Sequence, residues 1–372
     1  MAYERKNDCY EQVLRELESF YCEIPNRRYF RMAVETKLTP EDCAVWLMCP
    51  KHDEEPVTLD EIRAKDGGKT PGLDASIQKM IGNFFLSDRY DRDGVTYYAR
   101  NYIFKIGITY AEIPGLEDDP MTIAYQDWFN AMVLGGTGLL PAERAREFRV
   151  VPNEIAIRGP QDGQAIDMNI EIPDTREVIP FDEVTELLKG RRTICLTTCN
   201  CRVNKDAMGT RECDYPIETC MLFDELAERT LKVGAGRQIS VEEAIEITKK
   251  GRDLGLVHNI SNAESPSVLC QCCSCCCLVL QSMFRNEATC GKASRYVCVQ
   301  DESKCTGCGS CAQVCPAKAI EMVDGKPQYD PAKCIGCGVC VSRCQGGGRS
   351  LRVREDADKY LPEVEYFDVL TL

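Results

Sequence analysis

Cys305-Thr-Gly-Cys308-Gly-Ser-Cys311-Ala-Gln-Val-Cys315-Pro316 is followed by Cys334-Ile-Gly-Cys337-Gly-Val-Cys340-Val-Ser-Arg-Cys344. Each half has the C-x2-C-x2-C-x3-C spacing of a cubane iron–sulfur site. Three thiolates on one tight loop can each reach a different iron of one cube. The fourth must come from elsewhere, because the loop has no slack left. In the two-cluster arrangement the last cysteine of each half crosses to the other cluster. The expected sets are therefore Cys305, Cys308, Cys311 and Cys344 for one [4Fe-4S] cluster, and Cys334, Cys337, Cys340 and Cys315 for the other.

Residues from about Arg295 to Arg352 thus resemble a bacterial-type ferredoxin with two [4Fe-4S] clusters. Gly307, Gly309, Gly336 and Gly338 let backbone approach the cube and aim amides at its sulfurs. Pro316 ends the first loop at a legal position for proline. Ala319–Val323 and Lys326–Tyr329 flank Asp324-Gly325, a hairpin turn signal. One departure is the Gln345-Gly346-Gly347-Gly348 run after Cys344, where the pattern has proline. A zinc ribbon or free thiols would be the bland readings, and two tandem copies of the spacing weigh against both.

The chain of 372 residues suggests two to three domains. It carries 25 cysteines and 2 histidines. The opening Met1-Ala2-Tyr3-Glu4 lacks an apolar core, so no signal peptide is expected, and no apolar run is long enough for a bilayer span. A cytoplasmic location follows, where disulfides are rare and cysteines are better read as metal ligands. The net charge of −14 should repel nucleic acid and anionic membranes. It suits a redox partner such as a flavoprotein or reductase, and serves solubility equally well.

An α+β chain is expected, beginning with a mostly helical domain over 1–105. Tyr10, Val13, Leu14, Leu17 and Phe20 recur at helical spacing. Thr39-Pro40-Glu41-Asp42 caps a helix through Cys43, Val45, Trp46 and Met48, and Thr58-Leu59-Asp60-Glu61 is a capping box. A helix over Asp74–Leu86 precedes a hairpin turning at Asp93-Gly94. Short helices and a hairpin resemble a winged helix, a fold that often binds DNA. Lys79, Arg89, Arg92, Arg100 and Lys105 are nearly cancelled there by Asp74, Asp88, Asp91 and Asp93, so no basic stripe appears and protein contact is the expected role. Cys9, Cys22, Cys43 and Cys49 read as small buried hydrophobes rather than as a metal corner with His52.

Residues 106–180 form a connecting segment. Met121–Leu134 fits an amphipathic helix, and Gly135–Gly138 lacks the strand and lysine–hydroxyl pair of a phosphate cradle. Residues 181–294 read as a central α/β cysteine-rich domain. A helix over Phe181–Lys189 leads into a buried strand over Thr193–Arg202, which would put Cys195, Cys199 and Cys201 on one face. Cys213 lies in a polar loop, and Pro216 would start a helix carrying Cys220. Ser240 opens another helix, ended by Gly255, and Leu256–Ile260 reads as a strand. His258 is a candidate proton donor or ligand, against the commoner buried histidine with a backbone partner.

Cys270-Gln-Cys272-Cys273-Ser-Cys275-Cys276-Cys277 has no packing rationale, since leucine or alanine fills a core without oxidation risk. On a helix, Cys272, Cys273, Cys276 and Cys277 would share one side with Leu280, opposite Cys199 and Cys201. One four-iron cube takes four thiolates, so two clusters, unusual nuclearity or free thiols are needed to use them all. At least one further iron–sulfur cluster is expected, with a closed four-thiolate zinc site as its competitor. Cys290 and Cys298 read as ordinary thiols. The C-x-C-R segment, the Leu-Val-His strand and the cysteine run resemble iron–sulfur proteins of anaerobes over most of residues 181–350, without implying an activity.

An acidic tail over 353–372 follows the ferredoxin-like domain of 295–352. The expected function is electron transfer, alone or as a subunit of a larger redox complex. The alternatives are a reductase at the central cluster and a redox-sensing DNA-binding regulator.

Overall fold

The computed structural model describes residues 8–19, 24, 26–51, 54–90, 94–103, 106–107, 110, 113, 115–116, 118–134, 148–158, 183–232, 234–285, 291–361 and 366–367. The architecture is α+β, in two compact units: Met1–Pro141 with Val369–Leu372, and Ala142–Asp368.

In the first unit, helices Cys9–Glu18, Arg27–Lys37 and Pro40–Met48 precede strand β1 (Val57–Thr58), helices Leu59–Asp66 and Leu73–Gly82, and the hairpin β2 (Leu86–Tyr90) and β3 (Thr96–Arg100). The strands form an antiparallel sheet in the order β1-β3-β2. The capping box expected at Thr58 forms with Glu61, and the N-cap expected at Thr39 is a full capping box with Asp42. Each satisfies two orphan amide or capping groups at a helix start. Val13, Leu14, Leu17, Ile77 and Met80 are buried, as their spacing requires. The helix expected to reach Leu86 stops at Gly82, because Phe84 takes φ 60° and turns the chain into β2. Cys43 and Cys49 are buried, and the Cys49 thiol donates to the Val45 carbonyl at 3.4 Å. Cys22, His52 and Asp93 lie outside the described residues, as do Gly135–Gly138. The helix Pro120–Leu134 follows, close to its expected bounds, with Trp128 buried.

The second unit is built on β4 (Phe148–Val151), β5 (Ile194–Thr198), β6 (Glu218–Phe223), β7 (Arg237–Ile239), β8 (Val257–Ser261), β9 (Ser265–Pro266), β10 (Val268–Cys272) and β11 (Gly291–Lys292). Seven of these form one sheet, in the order β11-β4-β8-β10-β6-β5-β7. Its pairings are antiparallel except β11 with β4. The α/β character expected here therefore takes the form of an antiparallel sheet. Side chains alternate across it. Leu196, Met221, Ile260 and Leu269 pack on one face against Val184, Leu187, Leu188 and Ala244 of the helices Val184–Lys189 and Val241–Asp253. Ser240 caps the second helix by accepting from the Glu243 amide. The other face of the sheet carries the cysteines.

The C-terminal strands are β12 (Tyr296–Gln300), β13 (Ile320–Val323), β14 (Lys326–Tyr329) and β15 (Arg349–Val353). β12 pairs antiparallel with β15, joining the two ends of the cysteine stretch. β13 and β14 form the expected hairpin, with Asp324 at φ 51° and Gly325 at φ 75° in its turn. A short β16 (Tyr366–Phe367) runs parallel to β9. No helix among the described residues is long and apolar enough to cross a membrane.

Candidate metal centres

The second C-terminal loop surrounds a cavity lined by Cys315, Cys334, Cys337 and Cys340 together with Cys298 and Tyr329. This brings Cys315 to the three cysteines of the other half. Amides point at its sulfur: the Ala319 N–H donates to Cys315 Sγ at 3.3 Å. The Val339 amide does the same for Cys337, and that of Ser310 for Cys308. These donors offset thiolate charge without bringing in a competing cation. The donor set, four thiols with amide N–H groups aimed at their sulfurs, fits a cubane cluster.

The glycine run after Cys344 has a packing reason. A Cβ at Gly346 would lie 2.9 Å from the Lys304 carbonyl, and one at Gly348 would lie 3.1 Å from Cys305 Cα. The exit loop therefore lies against the start of the first half, bringing the segment after Cys344 to Cys305. Cys308 is exposed, whereas Cys337 and Cys340 are buried. The inner loop is fastened to the seven-stranded part of its unit: the Asn153 amide donates to Cys337 O at 2.9 Å, and Ser294 Oγ donates to Gly336 O at 2.7 Å. Arg343 donates to the Asp253 carbonyl.

Cys298, read from sequence as an ordinary thiol, lies 3.6 Å from Cys340 Sγ. Arg349 is buried beside Cys298 and Cys311, with one guanidinium nitrogen 4.0 Å from Cys298 Sγ. Pairing of β12 with β15 sets these two side chains against the loops, a long-range effect that no local pattern announces.

The central cysteines divide into two groups. Six form a closed ring of neighbouring thiols. Cys199 contacts Cys201 and Cys220. Cys270 contacts Cys220 and Cys272, and Cys277 contacts Cys201 and Cys272. Cys220, Cys270 and Cys272 project from β6 and β10 on the face away from the apolar core. Cys199 is the N-cap of the helix Asn200–Ala207, and Cys201 lies in its first turn. The Arg202 amide donates to the Cys199 thiolate there, and the helix terminus favours negative charge. The ring's own hydrogen bonds hold Cys199 low and Cys270 down to about 5, while Cys201, Cys220, Cys272 and Cys277 are pushed up. Asn259, paired with Cys270 across the sheet, is fully buried; neither polar atom of its amide has an oxygen or nitrogen partner, and it stands beside Cys272. A buried amide whose neighbour is a ring thiol, with no oxygen or nitrogen partner, fits an anionic cluster that accepts its hydrogen bond.

The other four, Cys213, Cys273, Cys275 and Cys276, bring their sulfurs within 4.8 Å of one another. Cys213 Sγ is 3.8 Å from Cys273 and 3.7 Å from Cys276, and Cys275 and Cys276 are 3.7 Å apart. Leu256 and Tyr215 pack around them. Cys275 was not among the ligands expected from sequence.

The strand expected over Thr193–Arg202 ends at Thr198, so Cys199 and Cys201 meet the ring from a helix start. Cys195 Sγ packs against Gly236, where a Cβ would come within 2.5 Å of it. The helix expected from Pro216 is β6, because Thr219, Met221 and Phe223 alternate with Cys220 between two strand partners. Cys272, Cys273, Cys276 and Cys277 do not share a helix side. β10 ends at Cys272, a turn follows, and the helix begins only at Leu278. Their spacing suits a helix locally, yet β10 is held between β6 and β8, and tertiary pairing overrides the local pattern. His258 faces the helix side with Gln271 and donates to the Thr248 carbonyl. Burial pushes it down to about 4, so it is neutral and turned away from the thiols.

Residues 297–345 match the family model of the 4Fe-4S dicluster domain. No curated protein and no solved structure matches the chain. Residues 297–345 are therefore an iron–sulfur dicluster domain at the C-terminal end of the chain.

Proposed function

We propose that the chain is an electron relay, in which the eight cysteines of the dicluster domain hold two [4Fe-4S] clusters in the crossed sets given above and the six-thiol ring holds a further iron–sulfur cluster. The observation that carries this is the lining of the inner cavity, where Cys315 joins Cys334, Cys337 and Cys340. When bound, such clusters take up and release single electrons at low potential. The chain's residues hold the charge and the spacing. Amides at Cys308, Cys315 and Cys337 and the buried Arg349 stabilise thiolate sulfur. Exposed Cys308 marks the outer loop as the face for a redox partner, a flavoprotein or reductase. The inner loop approaches the centre: a Cβ on Gly255 would touch the Val339 side chain at 3.7 Å, and Leu256 packs on Cys273 and Cys276.

Two observations weigh against the other readings. A reductase at the ring lacks His258 as its proton source, since that ring is neutral and on the opposite face. The first unit's helix–strand–helix–helix–hairpin order supports a winged-helix-like arrangement. Two of its described cations are matched, however: Lys79 lies 2.6 Å from Asp42, and Arg100 is buried 3.4 Å from Glu16. Phosphate affinity needs free cations, so a protein dock is the better reading of that unit.

Anaerobic isolation with iron and sulfide counts tests the relay. About twelve or more irons per chain, with EPR signals beyond those of the dicluster domain, are expected; about eight would leave the ring unloaded, by the arithmetic of four-iron cubes.

A further inference from the structure

The four-sulfur group beside the ring has its own geometry. A tetrahedral ion bound at the ~2.3 Å zinc–sulfur length sets its four sulfurs ~3.8 Å apart, by the edge of a tetrahedron. Three of the six separations are 3.7, 3.7 and 3.8 Å, and all six lie within 4.8 Å. Disulfides are far shorter, ~2.05 Å. A cubane places one thiolate on each of four irons and so spreads them wider than a single ion does.

Charge agrees with geometry. A divalent ion and four thiolates leave two negative charges. Two guanidiniums stand at the group, Arg202 beside Cys273 and Arg211 beside Cys213. Arg202 is fully buried. Three of its donors' acceptors are Pro216 O, Thr219 Oγ1 and Gln271 O, at 2.7–2.9 Å. Its Nε and that of Arg211 are buried with no oxygen or nitrogen acceptor. The Cys276 amide donates to the Cys273 sulfur.

We propose that Cys213, Cys273, Cys275 and Cys276 form a closed site for one zinc ion, separate from the iron-binding cysteines. Its role follows from the chain. Cys272 and Cys277 of the ring flank Cys273 and Cys276, so the ion fixes two ring ligands by their peptide neighbours. It also ties the loop of Cys213 to the turn after β10. The zinc site stands apart from the relay reading, because zinc neither accepts nor donates an electron.

Zinc and iron are counted on the anaerobically isolated full chain, and the zinc X-ray absorption edge is read for its neighbours. One zinc per chain is expected, with four sulfurs at ~2.3 Å and no nearby second metal. Cys213→Ser and Cys275→Ser should each cut zinc retention at least tenfold after dialysis against a chelator, while the dicluster EPR signals persist. Cys270→Ser should keep the zinc. The wild-type spectrum needs no variant to fold. Wild-type protein with less than about half an equivalent of zinc, or zinc retained by both serine variants, overturns the site. A lone iron on the same four sulfurs overturns the zinc assignment and makes the group a step of the relay. Loss of the ring's iron alone leaves the zinc count standing, so failure of the relay reading is distinguishable.

Discussion

Cys276 and Cys277 are bonded neighbours whose sulfurs serve different groups: Cys276 Sγ lies 3.7 Å from Cys213, while Cys277 closes the ring between Cys201 and Cys272. The reverse handover occurs at Cys272 and Cys273. Two peptide bonds therefore couple the positions of ten sulfurs.

The crossed pairing is checked by single replacements. Cys315→Ser should perturb the cluster on the inner loop and leave the outer one, and Cys344→Ser should do the opposite. EPR of the reduced protein reads which signal changes. Loss of the same signal in both variants would contradict the crossed sets.

Cys298 lies 3.6 Å from Cys340. With Cys340 a cluster ligand, the shared proton belongs to Cys298, which then donates an S–H bond to the thiolate. Cys298→Ala should keep the iron and lower one reduction potential by roughly 20–40 mV, the worth of a ~0.5–1 kcal/mol hydrogen bond to the more negative state. Potentiometric EPR titration measures it. An unchanged potential removes Cys298 from the tuning.

Gly336 has φ 68°, and a Cβ there would lie 2.1 Å from the Tyr296 carbonyl oxygen and 2.2 Å from Ser294 Oγ. Gly336→Ala combines left-handed strain with a clash against backbone, and should cost at least ~2 kcal/mol. Lower thermal stability and partial loss of the inner cluster's EPR signal are expected. Wild-type values for both would show that the loop can shift.

Arg202 is fully buried among thiols of both central groups, over the Tyr215 ring. Arg202→Met keeps the stem but removes the charge and three donated hydrogen bonds. A destabilisation of ~3–5 kcal/mol is expected, the cost of breaking a buried ionic arrangement from one side. Denaturant melts of metal-loaded protein test this, and Arg202→Lys should recover only part, since an ammonium lacks the planar fork.

His258 gives a pH signature. Its folded value of about 4 lies below the ordinary ~6.5, so the unfolded chain binds a proton that the folded one refuses. Stability is then full above pH ~6.5 and falls as pH drops toward ~4, by ~3 kcal/mol over the window. Acid also releases thiolate-bound metal, so the difference between wild type and His258→Gln isolates the histidine. Equal slopes of the urea midpoint in both proteins between pH 7 and pH 5 would rule the histidine out.

The dicluster loops were legible in the sequence because their ligands are local. Spacing, glycines and the Asp324-Gly325 turn act within a few residues of one another. The helix starts at Thr39, Thr58 and Ser240 were legible for the same reason. The central site was not, because its cysteines come from β6, β10, a helix start and two loops. Cys220 belongs to a strand only because β5 and β10 flank it, and Cys298 meets Cys340 only because β12 pairs with β15. A trace of the answer was present. Leu269, Cys270, Gln271 and Cys272 alternate with period two, and weighing that above the helical spacing of Cys272, Cys273, Cys276 and Cys277 would have given the strand.

β10 carries its cysteines on alternate residues between two antiparallel neighbours. A slip of one residue would bury two thiols in the hydrocarbon layer and thrust Leu269 among the sulfurs. The pairing of β10 with β6 and β8 therefore decides which side of the sheet is sulfur and which is hydrocarbon.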